Sequence, residues 1–156
     1  MTRCDAISRH LAALTVMLAV VAIATVGTPV PAAAQDGLQG FRTPSNNIHC
    51  ILEDFEPTPQ FPVTLRCDMQ AIDGSSPPRP RNCDAGWGKY FAITQNGDRG
   101  ERICVSDSAY GERGVLQYGE VWQAKGFTCR SERTGLTCFN ARQHGFTLSR
   151  ASQRLF

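Results

Sequence analysis

Charge of one sign is scarce in this 156-residue chain: 16 Lys and Arg stand against 14 Asp and Glu, a formal +2, with no long block of either sign. A basic face or stripe, the electrostatic footprint of a nucleic-acid binder, is therefore missing. Histidine is scarcer still, with three residues, His10, His49 and His144. A catalytic triad needs a histidine, and no serine stands in a G-x-S-x-G elbow, so acyl-transfer chemistry has little to draw on. No two cysteines have the two-residue spacing of a zinc knuckle. Beyond the first 30 or so residues no stretch keeps apolar residues at helical spacing, which argues against an α or βαβ domain.

What is present begins with an export signal. "MTRCDAISRH" carries Arg3 and Arg9, the apolar run "LAALTVMLAVVAIATV" follows, and "GTPVPAAAQD" ends in small residues. A positive start, an uncharged core and an A-x-A exit are what a secretory signal peptide needs. We expect residues 1–34 to be removed by cleavage after Ala34, leaving 35–156 as a single domain. The apolar run approaches the length of a bilayer helix, but Pro29 and Pro31 ahead of Ala32 favour cleavage over an anchor. No cysteine sits at the exit for a lipid. The expected product is secreted or periplasmic, soluble, without a membrane span, and close to neutral in charge.

Cleavage would also remove Cys4, leaving Cys50, Cys67, Cys83, Cys104, Cys129 and Cys138. An even set in an exported chain implies a disulfide framework, one of about 15 connectivities. A metal site is the lesser reading, because thiolates rarely survive an oxidising compartment.

The rest of the chain is a series of short β-branched and aromatic runs: "GFRT", "NIHCILE", "VTLRCDM", "KYFAITQ", "RGERICVS", "VLQYG", "GFTCRS", "GLTCFN" and "GFTLSR". Gly, Asn, Pro and Ser clusters separate them, the pattern of an antiparallel all-β domain. "SRASQRLF" could add a final helical turn or two. "TPSNNI" and Asn96-Gly97 are turn signals. If Cys129 faces Cys138, then Ser131 faces Leu136 and the loop is "ERTG", with Gly135 at the return. Spacing and turn chemistry agree on that register, and the bridge contributes about 2–3 kcal/mol in the chain-entropy model. Nearest-neighbour pairing joins Cys50 to Cys67 across "DFEPTPQFP". Cys83 is then left to Cys104, since the Asn96-Gly97 hairpin sets Phe91 near Cys104. The expected fold is a small antiparallel β-sandwich or barrel of hairpins stapled by three disulfides. In its last third "GLTCFN" pairs with "GFTLSR", setting Phe139 opposite Phe146 on a strand buried on both sides.

Two Pro-rich stretches interrupt the strands. "DGSSPPRPRNC" carries Arg79 and Arg81, and "DFEPTPQFP" carries Phe55, Pro57, Pro59 and Phe61. Either can be a plain connection whose rings fold back onto the sheet, or a partner-binding loop, since loops on a rigid scaffold are where binding residues concentrate. Trp87, between glycines, is expected in a core corner; Trp122 is left open.

The segments "FRTPSNNIHC", "LRCD", "CDAGWGKYFAI", "YGEVWQAKGFTCRSERTGLTCFN" and "HGFTLSR" resemble, in order and over nearly all of the chain after the leader, the small secreted bacterial proteins grouped as domain of unknown function family 6636. The resemblance implies export, one domain and paired cysteines, and brings no catalytic residues. It also implies glycine at two turn positions, where this chain has Asn46 and Gln143. Asn tolerates a left-handed backbone better than most residues.

Candidate catalytic groups are few. Ser45, Ser131 or Ser149 could offer a hydroxyl, His144 a base, and Asp68 or Asp107 an acid. His144, in the turn "ARQHGF", reads more simply as a turn residue. His49 alternates with Ile48 and Cys50, so it points away from them and is expected at the surface. Glu53, Asp54 and Glu56 read as a solvated acidic rim rather than a glycosidase pair, and Asp107 lacks EF-hand spacing. The expected function is non-catalytic binding, with no cofactor and no metal, to an envelope or extracellular protein or a glycan. Alternatives are an inhibitor of a secreted lysozyme or protease, and a small secreted hydrolase using Ser149 and His144.

Overall fold

A computed structural model describes residues 40–55 and 57–156 of the chain. The expected leader and its cleavage site at Ala34 lie outside the described residues. The strands are β1 (Gly40–Arg42), β2 (Ile48–Glu53), β3 (Thr64–Met69), β4 (Tyr90–Thr94), β5 (Glu101–Arg102), β6 (Val121–Ala124), β7 (Phe127–Glu132), β8 (Gly135–Phe139), β9 (Gly145–Leu148) and β10 (Gln153–Leu155). They form two five-stranded antiparallel sheets, β1 to β5 and β6 to β10, each with its strands in chain order. A meander is what short loops allow, because antiparallel neighbours need only a tight turn.

One core lies between the sheets. Alternation turns Ile48, Cys50 and Leu52 of β2, Leu65, Cys67 and Met69 of β3, and Phe91 and Ile93 of β4 to the inside. Phe127, Cys129, Leu136, Cys138, Phe146 and Leu148 face them from the second sheet. The rings of Phe91 and Phe146 sit 6.3 Å apart. Burying each such side chain contributes about 1.5–3 kcal/mol, so the core rather than any turn holds the sandwich closed.

The three bridges are Cys50–Cys67, Cys83–Cys104 and Cys129–Cys138, the pairing that spacing predicts. Cys50 is directly opposite Cys67, and Cys129 opposite Cys138. The sulfurs of Cys50, Cys67 and Cys138 lie within 4.8 Å of one another, so two cross-strand bridges meet face to face in the core. The sheets also touch at the backbone. Gly100 donates to the Phe156 carbonyl at 3.0 Å, Gly145 donates to the same oxygen at 2.7 Å, and a Cβ on Gly100 would collide with the Gly145 carbonyl.

Several details differ from expectation. "VLQYG" is not a strand; the strand is Val121–Ala124, and a two-residue turn with Lys125 at φ 47° and Gly126 at φ 82° returns it to β7. Both central residues at positive φ make the turn whose twist matches the flanking strands. "SRASQRLF" makes strand β10, not a helical turn. Phe91 faces Arg102, not Cys104. Phe146 faces Cys138, and Phe139 faces Gly145, so Phe139 points outward and β8 is buried on one side only. Trp87 is half-buried outside the core, donating its indole N–H to the Pro77 carbonyl at 3.0 Å. Asn46 and Gln143 both adopt the left-handed backbone, at φ 55° and 65°, where the resemblance implies glycine.

Candidate functional site

The outer face of the first sheet is covered. After β5 the chain crosses this face as an irregular strap, 103–118, whose far end pairs with β1 through Arg42 N–H to the Gly114 carbonyl at 3.0 Å and Leu116 N–H to the Arg42 carbonyl at 2.9 Å. Beneath the strap lie side chains that alternation puts opposite the core. Arg66 donates from Nε and Nη2 to the two oxygens of Asp68, both at 2.9 Å, and from Nη1 and Nη2 to the carboxylate and carbonyl of Asp107 at 2.6 and 3.0 Å. Asp68 also accepts the Ala109 N–H at 2.7 Å, and Tyr110 Oη donates to the Met69 carbonyl at 2.8 Å. One forked guanidinium thus ties strand to strap, in the bidentate geometry that suits Arg and not Lys.

The electrostatics follow from that packing. Burial works against the charge on Arg66, yet the hydrogen bonds it donates to Asp68 and Asp107 win and strengthen its hold on the proton. The same hydrogen bond holds the Asp107 carboxyl below the usual range. Burial raises Glu53, with Arg66 at 3.6 Å pulling the other way. Burial, then the Asp68 charge, pushes the Tyr110 hydroxyl up to about 12. Asp68 and Asp107 are therefore bound in a structural node and unavailable as the acid of a triad.

The remaining candidates are scattered. His49 is buried at 4% exposure, not at the surface, because the strap roofs its face. Its Nε2 lies 3.1 Å from the Asn46 carbonyl and 3.2 Å from Gln70 Nε2, and the Tyr110 ring stands edge-on at 5.0 Å. His144 and Ser149 flank opposite ends of β9, and strand geometry of about 3.3 Å per residue keeps them apart. Ser149 Oγ instead donates to the Ser152 carbonyl at 3.2 Å, and His144 closes the turn with Asn140. Ser45 Oγ lies 3.2 Å from Thr43 Oγ1, and Ser131 is buried. No hydrolytic arrangement forms from these residues. Glu53 is half-buried against Arg66, and Asp54 pairs with Lys125 at 2.8 Å, so neither belongs to a solvated rim; Glu56, the third member of the expected rim, lies outside the described residues.

The two ends of the sandwich differ. At one end the loop between β2 and β3 projects Phe55 and Phe61, which are 84% and 74% exposed; the rings do not fold back. The base of this loop is fixed by Cys50–Cys67, by the Asp54–Lys125 pair and by Gln95 N–H to the Val63 carbonyl at 2.9 Å. Its tip is closed by reciprocal backbone bonds between Thr58 and Phe61 at 3.1 and 3.0 Å. Pro57 and Pro59 are exposed beside it, as are Arg79 and Arg81 of the other Pro-rich stretch. At the opposite end, turns of both sheets enclose a groove of about 550 Å³, lined among others by Asn47, Gln70, Asp73, Tyr118, Arg133 and Arg150. Asp73 and Arg150 pair across it at 3.1 Å.

Fold and surface define a disulfide-stapled antiparallel β-sandwich with a covered polar face, an aromatic loop at one end and a groove at the other. The family model of a family of unknown function (DUF6636) matches residues 13–156, so the chain belongs to that family. No curated protein and no solved structure matches it. Among the described residues no helix is long and apolar enough to cross a membrane, and three disulfides fit an oxidising environment.

Proposed function

We propose that the chain is exported by its N-terminal leader as residues 35–156 and acts as a non-catalytic binding protein of the cell envelope or extracellular space, gripping a partner protein with the loop that carries Phe55 and Phe61. The observation that carries this reading is the exposure of both rings, 84% and 74%, on a loop whose base and tip are fixed. Large apolar side chains clustered at a surface mark interaction sites, and a preorganised loop loses less entropy on docking than a floppy one. Arg79 and Arg81 extend the candidate surface on the second Pro-rich stretch.

The test is a Phe55→Ser, Phe61→Ser variant. It should unfold at the same urea concentration as the parent, yet no longer retain the protein that immobilised 35–156 captures from envelope and culture-fluid extracts. Equal capture by parent and variant sinks the reading, as does equal binding of the parent to protein-free lipid vesicles. A narrower form makes the partner a secreted hydrolase, because a fixed, protruding Pro-framed loop is how an inhibitor enters an active-site cleft. Lysozyme and protease activities assayed with the parent and the variant check that form.

A further inference from the structure

We propose that the covered face of the first sheet holds an oxyanion site, built from Arg42 and Arg113 with His49 in its lining, for a small ligand bearing a phosphate or a carboxylate. The site is distinct from the aromatic loop and does not depend on it. β1 and β2 place Arg42 directly opposite His49. The strap pairs with Arg42 at Gly114, which brings Arg113 to the same place. Together with Asn46, Gly111 and Glu112 these residues line a cavity of about 650 Å³.

The argument rests on uncompensated charge. Arg66, on the same face, has three carboxylates within 4.0 Å. Arg42 and Arg113 are half-buried where Arg66 is fully buried, yet among the described residues neither has a carboxylate within that distance. Their contacts are neutral: Arg42 Nη1 reaches Asn46 Oδ1 at 3.4 Å, and Arg113 Nη1 donates to the Ala109 carbonyl. Neutral oxygens orient a guanidinium without cancelling its charge, and partly buried charge is costly until paired. His49 belongs to the lining as well, but its Nε2 is taken up by the Asn46 carbonyl and Gln70, and its unpartnered Nδ1 is closed off from the cavity, so the contacts fall to the two arginines. Two arginines lining one cavity match the oxygens of a phosphate or carboxylate, which a guanidinium fork can hold bidentately. Glu112 lines the cavity without reaching either guanidinium, and so acts as a built-in competitor.

The experiment titrates the folded domain with inorganic phosphate and, separately, with succinate, each against sodium chloride at matched ionic strength, following the side-chain Nε–H resonances of the arginines by NMR. One arm should saturate, and which one identifies the source of the oxyanion. Arg113→Gln should weaken that binding about tenfold, the loss of roughly one good contact, and Glu112→Gln should strengthen it about threefold by removing the competitor. If Arg113→Gln fails to fold, Arg113→Lys keeps the charge and loses the fork, and should still weaken binding. The proposal is overturned if neither anion gives a saturable response beyond chloride, or if affinity is indifferent to both Arg113 and Glu112.

Discussion

On the first sheet the outward-facing residues His49, Arg66 and Asp68 are as buried as the core, at 4%, 3% and 0% exposure. On the second sheet their counterparts meet water: Arg130 is exposed, with its guanidinium 5.9 Å from the Phe139 ring, and Thr137 and Thr147 pair their hydroxyls at 3.2 Å in a half-buried row. Both faces come from the same alternation of polar and apolar residues. The difference is the strap, 103–118, which among the described residues has no equivalent over the second sheet. A polar residue under such a cover must find fixed partners, because burying it unpaired costs far more than the bond returns. The covered face is therefore a network, and the open face carries only local pairs such as Thr137 with Thr147.

Breaking the network should show this most strongly. Asp68→Ala leaves a buried guanidinium half-compensated and should cost about 3–5 kcal/mol in urea unfolding. Arg130→Ala on the open face should stay within about 0.5 kcal/mol. A loss under 1 kcal/mol for Asp68→Ala would mean that the strap is held by something else. Next come the staples. Replacing Cys129 and Cys138 together by Ala should cost about 2–3 kcal/mol, and the Cys50–Cys67 pair about 0.5 kcal/mol more, because it closes a span of 17 residues against 9.

Titration separates the faces further. The Tyr110 hydroxyl is pushed from 10.0 up to about 12, so its contribution is complete below pH 10 and disappears as pH rises to about 12. Discounted because the residue is 37% exposed, the loss is about 1 kcal/mol, and Tyr110→Phe should flatten it in alkaline melting curves. Asp107 behaves in the opposite sense: held below its usual value by Arg66, it contributes above pH 3.8 and loses that contribution on further acidification. The smallest effects belong to two turns, one on each sheet. Gln143→Gly should stabilise by about 0.5 kcal/mol, relief of left-handed strain offset by a freer unfolded chain. Asn46→Gly should gain less, since Asn already tolerates that backbone.

How far the residues alone reveal the molecule depends on whether a feature is local. Cys129 and Cys138 lie on either side of a four-residue return at Gly135, so the register of β7 against β8 follows from spacing, and the other two bridges from nearest neighbours. The register of β8 against β9 does not. Gln143, in the left-handed region, shapes a turn closed between Asn140 and His144, and this offset of one residue sends Phe139 to the face opposite Phe146. The strap is harder still, because an irregular segment has no periodicity, and its contacts to Arg66 span 41 residues. That is why His49 reads as exposed from alternation and is buried in fact. The Phe55 and Phe61 loop was legible as a candidate because prolines announce a segment outside the ladders. The Arg66–Asp68 pair had a signal as well: opposite charges two apart on one strand face, flanking a core cysteine.

The contact of Cys138 with the Cys50–Cys67 bridge has a consequence for how the chain matures. With the sulfurs of three cysteines within 4.8 Å, a collapsed chain that is still reduced offers Cys138 two wrong partners beside the right one. Before collapse the choice is biased, because Cys129 is only 9 residues away and short loops close more readily than long ones. Oxidant met early selects the hairpin bridges; oxidant met late also cross-links one sheet to the other. Peptide mapping after refolding with delayed oxidant should find Cys138 joined to Cys50 or Cys67, a product that early oxidation avoids. The timing of thiol chemistry relative to collapse thus sets the yield of native protein.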